Sequence, residues 1–135
     1  MIDCRFQSTS EEIQVKKLTA AILICAFAPF VYADNDQATE VIAGVLMTLN
    51  HFPTDDDKTA LQGLIDDDAV GPAFKAVATA VMGIEHSASE DGKTALAQVL
   101  EADGADPRAK SLAQVVMDLN HGASDEAKAA VQALL

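Results

Sequence analysis

Met47-Thr48-Leu49-Asn50-His51, Met82-Gly83-Ile84-Glu85-His86 and Met117-Asp118-Leu119-Asn120-His121 stand 35 residues apart. At that spacing the chain after residue 40 aligns with itself three times without a gap, giving units 41–75, 76–110 and 111–135. All three histidines of the protein then occupy one repeat position. A period of roughly 20 to 50 residues marks an array of like supersecondary units, each of which buries its apolar face only against its neighbours.

The unit reads as a helical hairpin. Apolar residues recur at i, i+3, i+4 and i+7 in Ile42, Val45, Leu46, Leu49, in Val77, Ala80, Val81, Ile84, and in Leu112, Val115, Val116, Leu119. That spacing lays one buried stripe along a first helix, here the A helix. Gly71-Pro72 and Asp106-Pro107 precede two of these helices and put proline at the first helical position, where its missing N–H costs nothing. Three residues after each histidine stands a hydroxyl, Thr54, Ser89 or Ser124, followed by acids. A hydroxyl cap with carboxylates in the first turn satisfies free N–H groups and suits the dipole, so a second, B helix starts there. Its expected stripe is Ala60, Leu61, Leu64, Ile65, then Ala95, Leu96, Val99, Leu100, then Ala130, Val131, Leu134, Leu135. Short connections make A and B antiparallel. The expected fold is all-α: three tandem antiparallel hairpins, six helices, as a short α-solenoid or a compact helical array.

Upstream, Lys16-Lys17, the apolar run Leu18 to Val31 and the small-x-small Val31-Tyr32-Ala33 read as a signal peptide, with residues 1–33 removed and residues 34–135 forming one domain. The polar residues 1 to 14 are unlike a leader, which places the true start near residue 15. The apolar run is about 14 residues, shorter than the ~20 that span a bilayer, so no membrane attachment is expected after cleavage. The expected compartment is the periplasm or the outside of the cell. Cys4 and Cys25 both lie in the leader, which leaves the mature chain without a thiol.

After residue 33, six Lys or Arg face 18 Asp or Glu, a net charge of −12. That charge repels nucleic acid and anionic lipid and attracts cations. Phe52 and Phe74 are the remaining aromatics, too few to stack on bases or sugars. No glycine-rich phosphate loop, His-Glu-x-x-His, Cys-x-x-Cys or EF-hand pattern is present, and a non-enzymatic protein without a resident cofactor is expected.

Five positions are identical in all three units: Ala43/Ala78/Ala113, Met47/Met82/Met117, His51/His86/His121, Lys58/Lys93/Lys128 and Ala60/Ala95/Ala130. The first three are spaced i, i+4, i+8 and share one side of the A helix, away from its main apolar face. Packing and capping account for this stripe: Ala lets helices approach, Met fills the gap between units, and His satisfies the last carbonyls of the helix. The same geometry has a chemical reading. Met47 and His51, Met82 and His86, Met117 and His121 each pair a thioether with an imidazole one turn apart, donors suited to copper, above all Cu(I), or to another transition metal. One pair supplies only two ligands, and packed helices stand about 8–10 Å apart, so sharing an ion between units requires the side chains to converge. The lysines oppose the dipole of the B helix and call for a partner, the acid three residues earlier or a carbonyl of the preceding A helix.

Two functions follow. The first is an exported, non-enzymatic binding or scaffold module whose helix surface meets a protein partner or a second copy of the chain. The alternative is a periplasmic copper-type protein using the Met-x-x-x-His pairs.

Overall fold

The computed structural model describes residues 30–135, with side chains from residue 34 onward; the expected leader and its cleavage site lie outside the residues whose side chains are described. Six helices follow in order: α1 (Phe30–Thr48), α2 (Asp55–Asp66), α3 (Pro72–Met82), α4 (Glu90–Glu101), α5 (Pro107–Met117) and α6 (Asp125–Gln132). The protein is an all-α compact array of three hairpins, and there is no strand among the described residues, only isolated bridges such as Asn50 to Gly122. Counting units from residue 41 cuts through α3 and α5, so the structural hairpins begin at the prolines.

Local chemistry sets the boundaries. Pro72 and Pro107 open α3 and α5, and Asp106 caps α5 by accepting from the Arg108 N–H at 2.9 Å. Thr54, Ser89 and Ser124 each accept from the backbone three residues on, and Thr54 with Asp57 completes a capping box. Lys93 Nζ reaches Glu90 at 3.1 Å, as its spacing suggests; among the described residues Lys58 and Lys128 make no such pair.

The A helices α1, α3 and α5 carry most of the core, with α3 the most enclosed; α1 keeps Gln37, Glu40, Gly44 and Thr48 exposed, and α5 keeps Pro107, Ser111 and Gln114 exposed. In α3, Phe74, Val77, Ala78, Ala80 and Val81 are buried and only Pro72 and Thr79 are exposed. Ala43, Ala78 and Ala113 are fully buried, and α3 packs against α5 as well as against the B helices α2 and α4. Met47, Met82 and Met117 are half-buried against the core. The B helices are outer walls with narrower stripes than expected. Leu61, Leu64, Leu96, Val99 and Val131 are buried, whereas Ala60, Ala130 and Leu135 are exposed. At 8 to 12 residues each, these helices owe their stability to that tertiary burial rather than to propensity.

The array closes on itself, which decides between solenoid and bundle. Asn35 Oδ1 of α1 accepts at 3.1 Å from the N–H of Gly71, the N-cap of α3. Arg108, in the first turn of α5, pairs with Asp106 at the N-cap of that helix and with Asp36 of α1, and its guanidinium lies 6.0 Å from the centre of the Phe74 ring of α3, so the first and third hairpins meet. Hydrogen bonding to Arg108 holds the Asp106 carboxyl below the usual carboxylate range, against a smaller upward push from burial. The hairpins farthest apart in sequence are therefore neighbours in space. No helix among the described residues is long and apolar enough to cross a membrane.

Candidate functional site: a ring of three histidines

Each A helix ends at Thr48, Met82 or Met117. The next apolar residue, Leu49, Ile84 or Leu119, is buried and plugs the end of the core. Two residues later the chain must turn back to start the B helix, and it does so through histidine in the left-handed region, with φ of 71° at His51, 73° at His86 and 70° at His121. These are the only positive-φ residues among those described, and none is glycine. The expectation that histidine continues the helical stripe is thus corrected: Ala and Met share a helix face, but His has left the helix. Nor does it cap the last carbonyls.

Its backbone does something else. The His51 N–H donates to the carbonyl of His121 at 2.9 Å, the His86 N–H to His51 at 2.8 Å, and the His121 N–H to His86 at 2.6 Å. Every unit gives one hydrogen bond and takes one, and the three close a ring about a pseudo-threefold axis. Left-handed backbone at a residue with a Cβ costs about 1–3 kcal/mol unless the surroundings over-determine it. Three interlocked hydrogen bonds at the rim of a packed core do so here.

The ring gathers the imidazoles. Their centres lie 5.1, 5.6 and 5.3 Å apart, and Nδ1 of His51 stands 3.2 Å from Nδ1 of His86. All three side chains are exposed. Nδ1 of His121 lies 2.7 Å from Asn120 Oδ1, to which it donates, leaving Nε2 as its free donor atom. No group of three or more His, Cys, Asp and Glu among the described residues converges on one point.

An ion at the usual metal–imidazole distance of about 2.0–2.1 Å from two nitrogens 3.2 Å apart subtends roughly 103°, close to tetrahedral. Tetrahedral ligation puts ring centres about 5.2 Å from each other, and the three observed separations bracket that value. Only His51 and His86 bring ring nitrogens to ligand spacing as they stand; the three rings do not converge on one point. The expected Met-x-x-x-His pair is not a helical i, i+4 pair, because each histidine lies beyond the end of its A helix; the methionines are half-buried against the core, and Met82 lines one cleft with His86.

No protein-family model, curated protein or solved structure matches this chain. Function is therefore argued from the ring itself.

Proposed function

We propose that the protein is an exported, non-enzymatic binding module whose site is the histidine ring, and that its ligand is a borderline transition-metal ion. Zn(II), Cu(II) and Ni(II) suit an imidazole-only set better than Cu(I), which favours thioethers. The observation that carries this reading is the conjunction of strain and clustering. Glycine is the residue that the left-handed turn favours, yet histidine fills it three times, its rings cluster with centres 5.1 to 5.6 Å apart, and two of them bring nitrogens within 3.2 Å. The net charge of −12 raises the local concentration of cations around the site. His51, His86 and His121 act as ligands once the exposed His121 ring rotates away from Asn120.

Titrating Zn(II), Ni(II) and Cu(II) into the protein while following thermal unfolding tests the proposal. An ion bound only by the folded state raises the melting temperature by mass action. The rise is expected at one ion per chain, to vanish when all three histidines become glycine, and to survive Met47→Leu, Met82→Leu and Met117→Leu together. No rise with any of these ions, or a rise that persists in the triple glycine variant, overturns it.

A further inference from the structure

Three imidazoles leave at least one coordination position of an ion open, and on an exposed rim that position faces solvent. Beside His86 lies a cleft of about 350 Å³ at the junction of units 1 and 2, lined by Phe52, Lys58, Met82, Gly83, Ile84, Glu85 and His86. Its volume is at the lower end of the range for small-molecule sites.

The repeat makes this junction unlike the other two. Moving one unit along replaces Phe52 by Ser87 and Gly83 by Asp118; moving two replaces them by Gly122 and Thr48. Only here does an aromatic wall face a position without a side chain. Phe52 is 62% exposed, one of two large apolar residues so placed among those described, and Lys58 has no carboxylate partner among them. Lys58 and Glu85 bring opposite formal charges to the cleft, so by themselves they favour neither anion nor cation. A divalent ion on the adjacent histidines tips that balance toward an anion.

We infer that this cleft takes a small carboxylate with an apolar body, which completes the coordination of the ion on the histidine ring. The carboxylate reaches both the ion and the Lys58 ammonium, and its apolar part lies against Phe52, Met82 and Ile84. The inference rests on the metal-binding reading above and adds to it that the bound species is a metal–carboxylate complex. Binding is ordered: the ion first, then the anion, each tightening the other by the same factor.

The test uses Cu(II)-loaded protein, whose visible d–d absorption reports a change of ligand, with 3-phenylpropionate as the probe and acetate and 3-phenylpropanol as comparisons. Phenylpropionate is expected to shift the band saturably, at about tenfold lower concentration than acetate, with no response to the alcohol. Lys58→Gln and Phe52→Ser should each weaken the response about tenfold, a loss equivalent to one charge-assisted contact or one buried ring face. Lys128→Gln, at the repeat-equivalent position outside the cleft, should leave it unchanged. Equal response to acetate and phenylpropionate, no effect of Lys58→Gln and Phe52→Ser, or equal binding of phenylpropionate without copper overturns the inference while the metal site stands. Absence of a copper band that depends on the three histidines overturns the metal reading and the inference with it.

Discussion

Replacing His51, His86 and His121 with glycine separates the two roles that this position combines. The backbone there sits at φ of 70° to 73° and holds the ring of three hydrogen bonds, none of which uses the imidazole. Glycine reaches that conformation freely, relieving a cost of about 1–3 kcal/mol per site. It also frees the unfolded chain, which offsets some 0.4–1 kcal/mol of the gain. Each His→Gly change should thus leave stability within about 1 kcal/mol of the parent or raise it. His86→Val is the counterpart. A β-branched residue is a true outlier at positive φ, and with the hydrogen-bond ring still demanding that backbone the change should cost about 1–3 kcal/mol. For a domain of this size each kcal/mol corresponds to roughly 4–8 °C in melting temperature. Urea unfolding followed by circular dichroism measures the difference directly, and a constant m-value would show that the unfolded state is comparable. A triple glycine variant less stable than His86→Val would refute the reasoning, since the rings themselves would then be supporting the fold.

Ala78 is fully buried where A helices approach one another. Ala78→Leu should therefore lose about 1–3 kcal/mol to overpacking, and unchanged denaturant stability would contradict the close approach. Arg108→Met should flatten the acid side of the stability profile. The Asp106 carboxyl is held below its ordinary range in the folded protein, so its contribution is present above the unfolded carboxylate pKa and is lost as pH falls through the depressed value. Wild type should lose stability more steeply than the variant from about pH 4 downward. Parallel urea midpoints across that range would count against the hydrogen bonds from Arg108 to Asp106.

Periodicity and capping made most of the fold legible. Thr54, Ser89 and Ser124 start their helices where a hydroxyl followed by acids says they should, because capping is a local interaction within four residues. The A stripes Ile42 to Leu49, Val77 to Ile84 and Leu112 to Leu119 are buried as their spacing implies. Exposure of Ala60 and Ala130 was not legible, since alanine is small enough to sit on either side of a stripe boundary. The site was legible only as a repeated residue. Whether equivalent residues of successive units meet depends on the rotation between units, and that rotation is a sum of packing angles that no single residue declares. In an open array the histidines would be strung out along a line; about a closed axis they meet. Continuing the helix through Met47 to His51 also hid the change of backbone. Leu49 looks like the next apolar residue of a helix and is in fact the plug after its end.

The ring of backbone hydrogen bonds also counts. Each unit offers one N–H and one C=O to the axis, and with three members every donor and acceptor is used. A fourth 35-residue unit inserted in tandem would find neither, and the turn from one unit to the next would have to narrow from about a third of a revolution to a quarter, repacking every A helix against its neighbours. Solenoids lengthen or shorten by whole repeats with little penalty because their ends stay open. Here the copy number is a geometric property of the individual hairpin, and the three junctions differ only by substitution within fixed seats, as Phe52 and Gly83 differ from Ser87 and Asp118.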